Sequence, residues 1–292
     1  MKYALNVKGI VLAAGRGSRL WPITYAVSKQ LLPVYDKPLI HYPIATLFLA
    51  GIKDILIITT PEDRDLFYKS LGDGSQFGAK FEFRIQDQPN GIAEAFIIGE
   101  DFLQNESVAL VLGDNLFYGQ GLGFQLKKYM NVDGAHIFAY KVSDPERYGV
   151  VEFDRSGKVI SLEEKPVVPK SNYVVPGLYF YDNSVVDKAK LVLPSARGEK
   201  EITSINLMYL DEGNLNTTVL ERGTAWLDTG TFDSLHSASS FIKAIEDRQG
   251  LKVSCLEEIS WRNNWINDSQ LFNLAKKYES SPYGMYLESL LI

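Results

Sequence analysis

Three short apolar runs, Val7–Ala13, Asp54–Thr59 and Val108–Leu112, recur in the first half of the chain with helix-like sequence between them. Each has the length and β-branched character of a strand buried on both faces. The intervening stretches read as helices over Pro38–Ala50 (stopped at Gly51), Glu62–Leu71 and Ile92–Phe102. Strands are also expected at Lys80–Gln86 and, after one more helix, at Gly134–Val142. A β-α-β-α order of this kind predicts a doubly wound, mostly parallel sheet that gathers its ligands outside the carboxyl ends of the strands. With 292 residues, 46% of them hydrophobic, there is material for such a core.

The second half reads differently. Tyr148–Phe153 and Val159–Glu164 flank Asp154-Arg155-Ser156-Gly157, a hairpin signal. Tyr173–Asp182 reads as one strand, with Pro176 marking an edge or a bulge. Helices follow at Ser184–Lys190 and Ile202–Glu212, then a strand at Leu215–Leu220 and a long helix over Phe232–Asp247. The tail, Lys252–Ile292, reads as mainly helical. The expected layout is one integrated domain over about 1–250, divided near residue 115, with a helical appendage over 251–292.

Net charge and composition remove several function classes. A formal charge of −6 argues against generic binding to nucleic acid or acidic membranes. One cysteine rules out an internal disulfide framework, and three histidines without ligand spacing argue against zinc or haem. The N-terminus shows no apolar signal segment, so a cytoplasmic location is expected.

Chemistry concentrates where the opening strand breaks into Ala14-Gly15-Arg16-Gly17-Ser18-Arg19-Leu20. Free N–H groups on a glycine-rich loop, with guanidinium groups nearby, suit a polyphosphate. The loop matches neither G-x-x-x-x-G-K-[ST] nor G-x-G-x-x-G, because Leu20 stands at the third glycine position. That argues against a nicotinamide oxidoreductase. Asp114 directly follows an apolar strand, and Asp228 lies in Trp226-Leu227-Asp228-Thr229-Gly230. Each could be a turn former or cap; together they could hold one Mg²⁺ shared with phosphates. Lys29 reads as a surface lysine or a partner of Arg19 on a pyrophosphate. Lys165 and Glu164 read as a solvated hairpin edge, or as groups for a phosphate and for hydroxyls. Arg197 is a further phosphate candidate, and Gln86 a side chain able to read a base edge.

The set L-A-A-G-x-G-S-R-L-x-P, S-K-Q-L-L-P, L-G-D-N, D-P-E-R-Y-G-V-V, E-E-K-P, G-L-Y-F-Y-D and W-L-D-T-G resembles the sugar-1-phosphate nucleotidyltransferases over nearly the whole chain. Y-D-K-P, L-G-D-G-S-Q and Asp247–Cys255 are similar to the branch that transfers a thymidylyl group to glucose 1-phosphate. The resemblance implies a Rossmann-like α/β nucleotidyltransferase fold, with a mostly parallel mixed sheet flanked by helices. It implies that dTTP and glucose 1-phosphate give dTDP-glucose and pyrophosphate, the first step towards dTDP-rhamnose and other deoxysugars. UTP in place of dTTP is the nearest alternative, and a non-catalytic nucleotide-sugar-binding regulator another.

By the same resemblance, Asp114 and Asp228 bind Mg²⁺ while Arg19, Lys29 and Lys165 complete the catalytic set. Leu12, Ala14, Gly15, Gly17, Ser18 and Gln30 line the nucleotide, and Gln86, Pro89 and Gly91 address its base. Lys165 and Arg197 hold the sugar phosphate; Asn115, Tyr148, Gly149, Glu164, Val175, Glu199 and Trp226 surround the glucose. A homotetramer is implied, with inhibition by a dTDP-sugar end product at a second site near Gly250–Cys255. Pro176 and Ser204 stand where the family pattern has threonine and aspartate.

Overall fold

A computed structural model describes residues 7–292. From the N-terminus come β1 (Lys8–Ala13), the small hairpin β2 (Pro33–Val34) and β3 (Lys37–Pro38), α1 (His41–Ala50), β4 (Asp54–Thr59), α2 (Arg64–Leu71) and β5 (Lys80–Ile85). Next are α3 (Glu94–Ile98), α4 (Glu100–Leu103), β6 (Val108–Leu112), β7 (Asn115–Tyr118), α5 (Leu122–Leu126) and β8 (Ala135–Lys141). The second half supplies β9 (Gly149–Phe153), β10 (Val159–Glu164), β11 (Tyr173–Val174), β12 (Leu178–Tyr181), α6 (Val185–Leu191), α7 (Ile202–Asp211), β13 (Leu215–Val219) and β14 (Ala225–Asp228). The long α8 (Phe232–Gln249) and three tail helices, α9 (Leu256–Arg262), α10 (Asp268–Lys277) and α11 (Pro282–Ser289), complete the chain.

Ten strands form one twisted sheet in the order β10-β9-β11-β8-β12-β6-β1-β4-β5, with β13 paired to β8. The pairings set β1, β4, β5, β6, β8, β9 and β13 in one direction and β10, β11 and β12 in the other. The expected mixed, mostly parallel sheet is present. Because β1 lies between β4 and β6, the carboxyl ends of the parallel strands bring the Ala14–Arg19 loop, Gln86 and Asp114 to one edge of the sheet.

Alternate side chains supply the two cores. Val11, Ile57 and Val111 pack with Ile44, Leu47 and Phe48 of α1. Ile10, Leu56, Ile58 and Leu110 pack on the opposite face with Phe96 and Phe102. Each such fully buried side chain contributes about 1.5–3 kcal/mol of transfer free energy, which explains why these runs tolerate almost no polar residue.

Helix α8 begins at a capping box, Thr231 with Ser234, and ends at Gly250. Its Ala238 and Ile242 close over Val34, Leu39, Tyr42 and Leu116. At its end Glu246 meets Lys37 at 3.2 Å and Lys252 at 2.7 Å, tying the β2–β3 hairpin to the tail. The tail has its own small core of Cys255, Ile266, Leu271, Ala275 and Leu287. It docks through Trp265, whose ring lies 5.1 Å from that of Phe48 in α1. No helix among the described residues is long and apolar enough to cross a membrane.

Four expectations are corrected. The helix expected from Pro38 starts at His41, because Pro38 closes the β2–β3 hairpin. Ile92–Phe102 breaks at Gly99, which ends α3 and begins α4. Tyr173–Asp182 is two strands, not one: Pro176 lacks a donor for the ladder, and the chain leaves the sheet between Val174 and Leu178. Finally, Asn115–Tyr118 was not expected as a strand, yet it pairs with Ala225–Asp228 in a two-stranded ribbon.

Candidate active site

That ribbon makes the site. Its antiparallel register sets Asp228 opposite Asn115, so two carboxylates more than a hundred residues apart in sequence, Asp114 and Asp228, arrive side by side. Thr229 fastens the junction, donating from its amide and its hydroxyl to the Asp114 carbonyl at 3.2 and 3.0 Å. Asn115 is the brace. Its Oδ1 accepts from Trp226 Nε1 at 2.6 Å and from the Gly177 amide at 3.1 Å, while its Nδ2 donates to Asp114 Oδ1 at 2.8 Å. Gly177 is required there, since a Cβ would lie 2.6 Å from the Leu112 side chain and 2.8 Å from Asn115 Oδ1.

The glycine loop arrives from β1. Gly17 takes a left-handed φ of 61°, its carbonyl accepting from Thr24 Oγ1 at 2.7 Å. The loop turns through Ser18–Leu20, with Leu20 buried as an anchor and Arg19 exposed. A second short turn, Lys29–Leu31, buries Lys29 and Gln30 beneath it. Lys29 Nζ meets Asp114 Oδ2 at 2.5 Å. Lys29 is therefore no surface lysine; it is the counter-ion of the first carboxylate.

The two carboxyls are shifted in opposite directions. Burial pushes the Asp114 carboxyl up, but the Lys29 ammonium and the Asn115 amide outweigh it and leave it below the ordinary carboxylate value. Burial also raises Asp228, Arg147 opposes it, and the charge of Asp114 adds to the rise, so Asp228 stays above that value. Arg147 Nη2 lies 3.5 Å from Asp228 Oδ2, and burial together with the Asp228 charge pushes the Tyr148 phenol up.

On the far side, Glu164 at the end of β10 accepts from Thr203 Oγ1 at 2.5 Å. Lys165 follows with φ 44°, its amide donating to the Tyr148 carbonyl at 3.0 Å and its ammonium 3.8 Å from Glu164. Tyr148 sets its ring edge-on to Trp226 at 5.1 Å.

One cavity of about 220 Å³ is bounded by Arg19, Asp114, Asn115, Tyr148, Gly149, Glu164, Lys165, Val175, Trp226 and Asp228. It is somewhat smaller than the usual small-molecule site of about 300–1,000 Å³. Lys29 reaches this wall through Asp114, and Arg197 through Glu164, to which its Nη2 donates at 3.4 Å. Arg197 is otherwise engaged by Glu201 at 2.7 Å and lies 3.7 Å from Glu199, so both stand outside the cavity wall. Leu12, Ala14, Gly17, Ser18 and Gln30 belong to the β1 end and the turns beside it, while Gly15 faces an adjoining groove with Ser28, Thr60 and Asp87. Gln86, Pro89 and Gly91 sit beyond β5, on a loop tied to Lys200 by its amide on the Asn90 carbonyl at 2.6 Å.

Sequence reasoning missed Arg147 and Thr203. Arg147 stands inside the quoted D-P-E-R-Y-G-V-V run, directly before Tyr148, which was the available signal. Thr203 stands directly before Ser204, already compared with the family pattern, but its contact with Glu164 spans 39 residues and is a tertiary one.

A cleft with two adjoining carboxylates, flanking cations and a hydroxyl-accepting far wall can bind a polyphosphate at one end and a polyol at the other. The nucleotidyl transferase family model matches residues 8–245. A glucose-1-phosphate thymidylyltransferase from Mycolicibacterium smegmatis is 59% identical over 285 residues, covering 98% of this chain and 99% of the relative. Among solved structures, one from Bacillus anthracis assigned as a glucose-1-phosphate thymidylyltransferase, bound to sucrose, superposes with a TM-score of 0.74 at 42% identity, over 80% of this chain and 94% of the other. A UDP-glucose pyrophosphorylase with UDP-glucose superposes with a TM-score of 0.71 at 24% identity, over 83% of this chain and all of the other, a likeness of fold.

Proposed function

The chain belongs to the nucleotidyl transferase family, and from that premise we propose that it transfers a thymidylyl group from dTTP to glucose 1-phosphate, giving dTDP-glucose and pyrophosphate. The observation that carries the reading is the convergence of Asp114, Asp228, Arg19 and Lys165 on one cleft, with Lys29 seated on Asp114.

The reaction is a displacement at phosphorus: a phosphate oxygen of glucose 1-phosphate attacks the α-phosphorus of dTTP, and pyrophosphate leaves from the opposite side. Such chemistry asks the protein mainly for alignment and charge. Arg19 and Lys29 steady the triphosphate and the charge that grows on the leaving group. Lys165, with Arg197 behind Glu164, draws the sugar phosphate to the attacking position. Glu164, positioned by Thr203, accepts from sugar hydroxyls, and Tyr148 and Trp226 form an apolar edge for the ring. The exposed N–H groups of the Gly15 loop receive the nucleotide, and Gln86 with Gly91 addresses the base. In this reading residues up to about 115 serve the nucleotide and about 116–250 the sugar.

Asp114 and Asp228 suit Mg²⁺. They are hard oxygen donors set close enough for the charge of one to raise the other, and Mg²⁺ ordinarily takes one or two carboxylates and completes its shell with water and phosphate. When bound, the ion supplies positive charge to the phosphate oxygens. The Asp114–Lys29 pair would then loosen and leave the ammonium for the triphosphate.

Inhibition by a dTDP-sugar end product belongs to the same reading, supported by a second cavity of about 370 Å³ in which Leu251–Cys255 meet Tyr118, Glu258 and Arg262. A cytoplasmic homotetramer feeding deoxysugar synthesis completes it. The displacement is tested with dTTP carrying sulfur at the α-phosphorus. Inversion at phosphorus in the product is expected; retention would mean an enzyme-bound intermediate and overturn the direct attack.

A further inference from the structure

Gln86 is buried, with 6% of its surface exposed, just beyond the carboxyl end of the edge strand β5. Its Nε2 donates to Glu94 Oε2 at 2.7 Å and to the Gly91 carbonyl at 3.2 Å. The other oxygen of Glu94 accepts from Asn90 Nδ2 at 2.8 Å, so the carboxylate is pinned from both sides. A carboxylate and a carbonyl only accept, whereas an amide has one donating end and one accepting end. Turning the Gln86 amide over would set its oxygen against two others. Both of its N–H groups are therefore committed to the protein, and its Oε1 is the group left for a ligand.

We infer that Glu94 is a positioning residue that fixes the polarity with which the base is read, and so a specificity determinant of this site. Held in this way, Gln86 offers an acceptor to an imide N–H, such as N3–H of thymine or uracil. Cytosine carries a lone pair at N3 and meets the Gln86 oxygen with repulsion. The inference rests on the proposed role of Gln86 at the base and adds to it a side chain that does not itself touch substrate. It also gives a role to the charged group at the start of the short helix α3, where Glu94 is half-buried.

The experiment is steady-state kinetics with dTTP and dCTP on the native protein, Glu94→Leu, Glu94→Gln and Gln86→Leu. Glu94→Leu should raise the KM for dTTP about tenfold, the worth of one well-placed hydrogen bond. It should narrow the preference for dTTP over dCTP by a similar factor and leave the KM for glucose 1-phosphate in place. Glu94→Gln should recover most of the loss, because its carbonyl still accepts from Gln86 and the exposed Asn90 amide can turn to match. Should Glu94→Leu fold poorly, Glu94→Ala takes its place. An unchanged dTTP-to-dCTP ratio in the Leu or Ala variant, or equal loss for both substrates, overturns the inference. If Gln86→Leu raises the KM for dTTP while the Glu94 variants do not, Gln86 keeps its role and Glu94 loses its own. If Gln86→Leu leaves that KM unchanged, the base assignment falls and this inference falls with it.

Discussion

Replacing Lys29 by methionine tests the electrostatics at the centre of the site. The lysine is 5% exposed, and its ammonium lies 2.5 Å from a carboxylate whose side chain is 28% exposed. Removing one partner of a buried pair costs about 3–5 kcal/mol, and the residual exposure of Asp114 places this pair at the lower end, about 3 kcal/mol. The cost depends on pH with a definite sign. In the native fold Asp114 lies below its unfolded value, because Lys29 outweighs burial. The stability this supplies is full above the unfolded pKa, about 3.9, and is lost as pH falls through the lower folded value. Without Lys29, burial is opposed by hydrogen bonds alone, chiefly from the Asn115 amide, and the carboxyl rises. Protonation then favours the folded variant as pH falls through that raised value.

The stability deficit of Lys29→Met should therefore be largest near neutrality and shrink on acidification. Urea unfolding followed by tryptophan fluorescence at several pH values measures it. A double variant that also carries Asp114→Asn should lose much less than the sum of the two single changes. A deficit under about 1 kcal/mol, or one indifferent to pH, would refute the buried-pair account.

Two further outcomes follow from the same geometry. Asp228→Asn should lower turnover more than about tenfold while raising stability at pH 7, since burial and the Asp114 charge disfavour the ionised carboxylate in the fold. Native stability should accordingly gain as pH falls through the raised Asp228 value, a gain absent from the variant. Near-normal turnover would remove Asp228 from the metal site, and a lower melting temperature would contradict its raised state. Gly177→Ala should cost about 1–3 kcal/mol by driving a methyl against Leu112 and Asn115, and should shift Trp226 emission as its indole loses Asn115. A variant with unchanged melting and emission would show that the brace does not depend on that close approach.

Much of the parallel core was legible because its strands are local signals. Asp54–Thr59 and Val108–Leu112 carry uninterrupted apolar runs of strand length, and the polar and turn residues on either side bound them. The ribbon of β7 and β14 was not legible. Its strands are only four residues long, too short to show a pattern, and they pair across more than a hundred positions, with Asn115 bonded to Trp226. The break at Pro176 was half legible: proline announced a disturbance, but only the Gly177–Asn115 contact shows that the chain leaves the sheet there. In the site, motif spacing pointed to Asp114, Asp228 and Arg19. The commitment of Lys29 to Asp114, of Arg197 to Glu201 and of Asn115 to three internal bonds could be read only from tertiary contacts.

The most direct measurement is pyrophosphate release by the purified protein with Mg²⁺ and glucose 1-phosphate, comparing dTTP with UTP. Release that requires all three components and prefers dTTP is the predicted result; the single methyl that separates the bases is worth about 1–3 kcal/mol. Preference for UTP would keep the displacement and overturn the thymidylyl assignment. Absence of release with either nucleotide would contradict the account at its centre.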